Sequence, residues 1–344
     1  MSTRPIYVGT DCGATTSKIV ALWEDGTPVS TKLLQRTTRS ADGPEATVRG
    51  WVDAVEEYLK THNLSWDQVK AAGLATPGPY QKLGVLDKTA NLPPSFWGFD
   101  VLTAYHQAWK AKTGRDIPVS MGNDGNLGGV AEAAKVRGNT KDTVVMLAPG
   151  SGLGAAYVGA DGLPLDGDTL NGMEAGHMPA PIHELNIPPL PCGCGRTWGC
   201  IESYTTIAGL NWLLQMKLKD YPGHPLANSP KGGKDRALDL RGLAQKGDAL
   251  ALELFDFQAK ALGHFVAILA MALDPTWIVV AGGLMDPEST TPEFRKRYLD
   301  RVRDTAMPNL WTMQKNKMKI VEASLGELSQ AIGAGLVALY QSKK

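Results

Sequence analysis

The sequence predicts an α/β protein of two lobes. Three observations carry that expectation. A chain of 344 residues is longer than a single hydrophobic core usually serves. Apolar runs of strand length alternate with amphipathic helical stretches along most of it. A strand, small-residue turn, strand unit occurs twice, at residues 6–23 and again at 143–158.

The first unit sets strands at 6–10 and 19–23 around Asp11, Cys12, Gly13, Thr15, Thr16, Ser17 and Lys18. Hydroxyls and amides crowded into such a turn suit a phosphate, or form only the tip of a hairpin. Cys12 reads as a small buried residue. A third strand is expected at 29–36, and 45–62 has helical periodicity through Val48, Trp51, Val52, Val55 and Leu59. The strand at 69–75 closes in the turn Thr76-Pro77-Gly78-Pro79. The stiff aromatic loop from Asn91 to Trp97 either walls a substrate or tucks onto the core.

A helix at 101–113 and a strand at 117–121 lead to Asn123 and Asp124, ahead of a helix at 127–136. A carboxylate at that junction caps the helix, the reading favoured without context, or serves as a buried general base. The second strand–turn–strand holds Gly150, Ser151, Gly152 and Gly154. Neither turn is a Walker loop, since no Gly-Lys-Ser/Thr follows, and neither is a dinucleotide fingerprint, since each runs into a strand. Further helices are expected at 203–218, 249–273, 294–307 and 330–342, and strands at 277–281 and 318–322. Residues 219–239, rich in Pro, Gly, Lys and Asp, read as an exposed excursion. Gly282 and Gly283 let a flat ring lie on the backbone, or make a tight turn.

Cys192, Cys194 and Cys200 are three of the four cysteines, and His177 lies just upstream. Three thiols and an imidazole complete a closed tetrahedral zinc site. Glycines 193, 195 and 199 let the backbone turn the sulfurs inward. A disulfide is the weaker reading, because Met1-Ser2-Thr3-Arg4-Pro5 enters a strand without a signal-peptide pattern and a cytoplasmic setting is expected. Closed coordination leaves no position for water, so such a metal shapes a loop and fixes the neighbouring Glu174 and Glu202.

Composition bounds the partners. Lys+Arg and Asp+Glu are both 35, so the formal charge cancels and gives no global attraction for nucleic acid or an anionic membrane. The apolar run at 264–271, cut by Asp274-Pro275, is expected to be too short to span a bilayer.

Taken in order, these motifs resemble those of the ROK family (repressors, open reading frames and sugar kinases) of the actin-like ATPase superfamily, over nearly the whole chain. Asp11-x-Gly13-x-Thr15 is similar to the first phosphate motif, and the run 150–154 to the second, with Ser151 where threonine is usual. Asn123-Asp124 resembles the sugar-binding and catalytic pair, and Glu174-x-x-His177 the glutamate and zinc-histidine motif. Cys192-x-Cys194, Cys200 and Glu202 resemble the zinc signature with its sugar-binding glutamate, and Leu273-Asp274-Pro275-x-x-Ile278 with Gly282-Gly283 the adenosine motif. Three features depart from the pattern: the span between Cys194 and Cys200 is one residue longer, Met173 replaces a glycine, and 219–239 is long.

The resemblance implies a two-lobed actin-like ATPase (ribonuclease H-like) fold with a nucleotide and sugar cleft between lobes at 1–122, joined by helix 330–344, and 123–329. It implies phosphoryl transfer from ATP to a hexose, glucose at its 6-hydroxyl first, with Asp124 as base. Gly78, Asn91, Asn123, Asp124, Glu174, His177 and Glu202 would hold the sugar. Gly13, Thr15, Thr16, Lys18, Gly150, Ser151 and Gly152 would hold phosphates, and Gly282 and Gly283 adenine. Asp11 would hold Mg²⁺ through water; His177, Cys192, Cys194 and Cys200 would hold structural Zn²⁺. A homodimer without nucleic-acid or membrane partners is implied. Fructose, mannose, allose, N-acetylmannosamine or N-acetylglucosamine as acceptor, polyphosphate as donor, and a sugar-sensing regulator are the alternatives. A DNA-binding repressor is disfavoured, because family repressors carry a helix-turn-helix domain before the first phosphate motif, which here begins at Asp11.

Overall fold

The computed structural model describes residues 4–13, 15–88, 92–231 and 233–343. The chain divides into two compact units, one of residues 1–141, 156–173 and 327–344, the other of 142–155 and 174–326.

In the first unit β1 (Ile6–Cys12) turns into antiparallel β2 (Thr16–Trp23), which pairs with β3 (Leu34–Thr37). Helix α1 (Pro44–Thr61) follows and buries the periodic face of Val48, Trp51, Val52, Val55 and Leu59. Next come β4 (Val69–Thr76), a small hairpin of β5 (Tyr80–Lys82) and β6 (Val85–Leu86), α2 (Val101–Thr113), β7 (Val119–Asn123) and α3 (Asp124–Arg137). The sheet order is β3-β2-β1-β4-β7, with β1, β4 and β7 parallel. Register sets Asp11 beside Ala75 and Thr76 beside Asn123, so three candidate site segments leave the sheet at one edge, the carboxyl end of parallel strands.

The C-terminal helix Ser329–Ser342 packs on this sheet and on α3. A Cβ on Gly333 would lie 1.7 Å from the Leu127 carbonyl oxygen, so the two helices meet backbone to backbone. That contact groups α3 with the first unit, whereas the sequence placed a boundary at 122/123.

β8 (Val144–Pro149), in the second unit, turns into β9 (Leu153–Val158), which the division between units cuts after Ala155. A largely irregular segment with the short α4 (Ile182–Leu185) leads to α5 (Glu202–Thr205), α6 (Ile207–Lys217), α7 (Gly233–Gln245) and α8 (Ala249–Leu273). The remaining elements are β10 (Trp277–Val280), α9 (Pro292–Ala306), α10 (Thr312–Lys317) and β11 (Lys319–Glu322), in a sheet ordered β11-β10-β8-β9.

Four expectations are corrected. Residues 29–33 are not strand. The helix expected at 203–218 breaks at Thr206, whose backbone is extended and whose carbonyl accepts a buried bond from the Gln258 amide at 2.9 Å. The excursion expected at 219–239 contains the first half of α7, whose buried Leu240 and Ala244 were obscured by the Pro- and Gly-rich approach. Finally, α8 has 25 residues and a mean hydropathy of 1.3 in its most apolar stretch, so it is long and apolar enough to cross a membrane; 67% of that stretch is buried inside the protein, as befits a core helix.

Candidate active site

At the carboxyl edge of the first sheet, the Asn123 side chain accepts from the backbone N–H groups of Gly125 at 2.9 Å and Asn126 at 3.3 Å. It is the N-cap of α3. Capping therefore falls to Asn123, correcting the reading that favoured Asp124 for it. Asp124 is the first helical residue, half-buried, with Oδ1 accepting from Gly125 N–H at 2.8 Å.

Asp11 is 9% exposed. Its Oδ2 lies 3.8 Å from Lys18 Nζ, which is also 3.5 Å from Glu327 Oε2. Burial pushes the Asp11 carboxyl up; Lys18 pulls it down, and Asp124 and Glu327 push it up again, leaving it at about 6. A divalent cation fits here, because the carboxylates outnumber the one ammonium available to neutralise them. Lys18, expected on a phosphate, is held by these two carboxylates. Gly13 makes the turn tight: a Cβ there would lie 2.5 Å from the Thr16 carbonyl oxygen. The Thr15 carbonyl accepts from Thr38 N–H at 2.8 Å, and Thr16 opens β2 opposite Thr37.

Gly78 precedes a cis proline, and a Cβ on it would lie 3.4 Å from Asn123 Nδ2. Asn91 lies outside the described residues. In the aromatic loop Phe96 is fully buried while Trp97 stays 43% exposed, so the loop both tucks onto the core and leaves an indole at the surface. Sequence reasoning missed Tyr80 and Asp166. The Tyr80 hydroxyl donates to the Thr76 carbonyl at 2.8 Å, and Asp166 Oδ1 accepts from Asn126 Nδ2 at 2.8 Å, with burial raising its carboxyl. Tyr80 opens the three-residue strand β5 and Asp166 sits in an irregular segment, both too short for patterning to carry a signal.

In the second unit the donor atoms of His177, Cys192, Cys194 and Cys200 lie within 4.8 Å of one another. Cys192 Sγ is 3.7 Å from His177 Nδ1, and Cys194 Sγ is 3.6 Å from Cys200 Sγ. Tetrahedral zinc would separate two thiolate sulfurs by ~3.8 Å and a sulfur and an imidazole nitrogen by ~3.6 Å, given its bond lengths. The set fits that ion. All four cysteines are free thiols.

Backbone bonds build the cluster. Ala180 N–H donates to Gly199 O at 2.8 Å and Ile201 N–H to Met178 O at 2.9 Å, laying His177 alongside Cys200. Gly195 and Gly199 take φ of 79° and 76°, whereas Gly193 needs no positive φ. The extra residue goes outward: Arg196, Thr197 and Trp198 are exposed, and Trp198 Nε1 ties the loop back by donating to the His177 carbonyl at 3.0 Å. Met173 takes φ 63°, so the backbone keeps a conformation that suits the glycine it replaces.

Glu202 opens α5 beside the cluster. Its Oε2 accepts from Leu153 N–H at 2.9 Å and its Oε1 is 3.6 Å from Cys192 Sγ, so it joins the cysteine loop to the second small-residue turn. Glu174 is exposed, with its carbonyl accepting from His177 N–H at 3.1 Å. Within the turn Gly150 N–H donates to Gly152 O at 2.9 Å, Ser151 is exposed, and the Gly150 carbonyl accepts from Ile207 N–H at 2.9 Å. Gly282, at φ 81°, is spoken for by the backbone, since a Cβ would lie 2.4 Å from Pro149 O. Gly283 instead lines a small, mostly apolar cavity of ≈ 50 Å³ with Gly150, Ile207, Leu238, Arg241 and Leu284. Leu238 and Arg241 come from the unforeseen α7; Arg241 Nη1 donates to the Gly283 carbonyl at 3.0 Å.

The ROK family profile matches residues 7–341. A glucokinase of Halalkalibacterium halodurans is 28% identical over 341 residues, covering 97% of this chain and 95% of that one. An N-acetyl-D-glucosamine kinase of Salmonella arizonae is 28% identical over 302 residues, covering 85% and 88%. The crystal structure of a ROK hexokinase from Thermus thermophilus superposes with a TM-score of 0.75 at 25% identity, covering 98% of this chain and 99% of that one. The chain belongs to the ROK family and has the two-lobed, actin-like ATPase fold of its sugar kinases.

Proposed function

We propose that this ROK-family sugar kinase transfers the γ-phosphoryl group of ATP to the 6-hydroxyl of a hexose, glucose first, with Asp124 as general base. The observation that carries the reading is the division of labour at the start of α3. Asn123 caps the helix and Asp124 stands beside the buried Asp11, near enough to raise its pKa. Asp124 also accepts from Gly125 N–H, and its nearness to the buried Asp11 supports reading it as the group that takes the hydroxyl proton.

As the sugar oxygen attacks the γ-phosphorus, Asp124 takes the hydroxyl proton, the bond to the β-phosphate oxygen breaks and ADP leaves. Such a transfer needs alignment and charge neutralisation more than covalent help. Gly13, Thr15, Thr16 and residues 150–152 offer amides and hydroxyls to phosphates, and Gly283 with its cavity suits adenine. Asp11 would hold Mg²⁺ through water, which supplies neutralisation of phosphate charge. Lys18 belongs to that carboxylate group, and its contact with phosphate would come second. Asn123, Glu174, His177 and Glu202 would hydrogen-bond ring hydroxyls, with Gly78 leaving space beside Asn123. Zinc on His177, Cys192, Cys194 and Cys200 would supply rigidity alone. His177 Nδ1 faces the sulfurs, so Nε2 is the nitrogen left for a hydroxyl or carboxylate.

Glucose leads because the glucokinase match spans more of the chain than the N-acetylglucosamine kinase match. The test is ADP formation from ATP across a panel of hexoses and N-acetylhexosamines, with Asp124→Ala as control. Turnover on one sugar that the variant loses supports the reading and names the acceptor. A folded, zinc-loaded protein that turns over none of them contradicts it with this donor, and moves weight to polyphosphate or to a sugar sensor. Elution as a dimer in size-exclusion light scattering is the expected assembly.

A further inference from the structure

The apolar cavity of the second unit is smaller than the base it would take. Its volume is ≈ 50 Å³, whereas pockets that hold small molecules run to ~300–1,000 Å³. Seating a purine there requires one wall to give way, and the walls differ in what holds them. Gly282, just outside it, is pinned, since a Cβ there would lie 2.4 Å from the Pro149 carbonyl oxygen. Phe255 and Gln258 stand on the core helix α8 at 4% and 1% exposure. Leu238, 38% exposed, and the half-buried Arg241 face the cavity from α7 and have room to move.

The other polar side chains of the wall donate to backbone. The Thr205 hydroxyl donates to the Ile201 carbonyl at 3.1 Å, the Thr206 hydroxyl to the Glu202 carbonyl at 2.8 Å, and Gln258 Nε2 to the Thr206 carbonyl at 2.9 Å. Arg241 is different. It carries five N–H donors, and its Nη1 donates to the Gly283 carbonyl at 3.0 Å. Among the described residues it has no ion pair. Asp286 feels its charge, yet that carboxylate is held by the Ser289 hydroxyl at 2.7 Å and by Glu288 N–H at 3.0 Å. A half-buried guanidinium without a counter-charge, beside an apolar cavity, is matched to an aromatic face, which attracts a planar cation.

The geometry agrees. A Cβ on Gly283 would lie 3.4 Å from Arg241 Nη1, so the guanidinium rests on the Gly283 backbone. Gly283 is exposed, so its carbonyl passes to water when the arginine leaves it. Leu238 lies three residues before Arg241 on α7, which puts the two on one helix face. Gly150 of the second small-residue turn lines the same cavity, so phosphate is the other chemistry within a guanidinium's range. Leu210, Leu238 and Leu284 in the wall favour the base.

We propose that Arg241 holds the base of the phosphoryl donor, a role that rests on this cavity being the adenine site. As a nucleotide enters, the guanidinium leaves the Gly283 carbonyl and lies on the face of the purine, with Leu238 beside it. Helix α7 thereby sets a preference for a nucleoside triphosphate over a polyphosphate donor.

The test is calorimetric titration of the full-length protein with ADP, adenosine and inorganic triphosphate, each in the presence of Mg²⁺. Arg241→Ala should weaken ADP and adenosine by ~10-fold, the loss expected when a desolvated cation–π contact goes, and leave inorganic triphosphate as it was. Arg241→Lys keeps the charge and the stem but not the plane, so it should fall between parent and alanine, and it carries the test should the alanine variant fold poorly. In turnover the KM for ATP should rise while kcat and the sugar KM stay. An Arg241→Ala protein that binds ADP as tightly as the parent overturns the assignment. Equal weakening of ADP and inorganic triphosphate overturns it too, because the arginine is then a phosphate ligand. A parent that binds neither ADP nor adenosine overturns the adenine site itself, a failure seen before any variant is made.

Discussion

Asp11, Thr76 and Asn123 reach one edge of the first unit through the register of three parallel strands. His177, Cys192, Cys194 and Cys200 instead converge through a segment with almost no regular structure. Ladder bonds fix the first group and tolerate an empty cation site. The second group is fixed by a few backbone bonds and by four donor atoms that bring thiols close together, an arrangement that calls for a metal. Residues placed on a sheet edge are therefore robust to metal loss, while the residues proposed to hold the acceptor on the cysteine loop are exposed to it.

The comparison can be broken most forcefully from the sheet side. Gly333→Ala drives a Cβ into the Leu127 carbonyl, with backbone on both sides and no flexible neighbour to yield. It should cost ~3 kcal/mol or more, the upper range for overpacking, read as a lowered denaturation midpoint. An unchanged midpoint would show that the helices do not meet backbone to backbone.

Metal removal sharpens the comparison from the other side. Cys200→Ser, or chelation, should abolish zinc binding, open residues 174–202 to proteolysis and raise the sugar KM by ~10-fold or more, as loss of a supporting shell does. Amide exchange in β1 and β7 should stay as it was. Fast exchange there after chelation would mean that the two regions are not independently held.

Asp11→Asn should act in opposite directions on stability and activity. The folded carboxyl titrates at about 6 against an ordinary 3.8, so the native state holds its proton more tightly than the unfolded chain. That contribution is fully present below 3.8, falls as pH rises towards 6 and is gone above it, where the native state carries an unfavourable buried charge. At pH 7 without Mg²⁺ the variant should be more stable than the parent by ~1–3 kcal/mol, since a tenfold difference in proton affinity is worth ~1.4 kcal/mol and the Lys18 contact is lost in exchange. At low pH the gain should vanish. A lower melting temperature at pH 7 would show that Lys18 outweighs the burial.

The smallest effect is expected at Met173. Glycine there should stabilise by under ~1 kcal/mol, because relief of left-handed strain is partly offset by a more flexible unfolded chain. Clear destabilisation would mean that the methionine side chain is needed.

Much of this was legible in the sequence for physical reasons that differ between the regions. The helix expected at 249–273 is the observed α8, because a long periodic apolar face admits one reading. The cysteine cluster was legible because thiols are few here and spaced closely. Asn123 and Asp124 were harder: both are good caps, and only the bonds from Gly125 and Asn126 say which one does it. Asp166 and Arg241 were invisible. Their contacts depend on where an irregular segment returns to Asn126 in one case and where α7 returns to Gly283 in the other, and no periodicity encodes that.

The most direct measurement is a side-by-side kinetic comparison of Asp124→Asn and Glu202→Gln on the preferred sugar. Asp124→Asn should lower kcat by ~10²–10⁴-fold with little change in the sugar KM, as removal of a general base does. Glu202→Gln should raise KM and largely spare kcat. A full kcat in Asp124→Asn, in a protein that still phosphorylates the sugar, would contradict the assignment of the base and with it the division of work between the two regions.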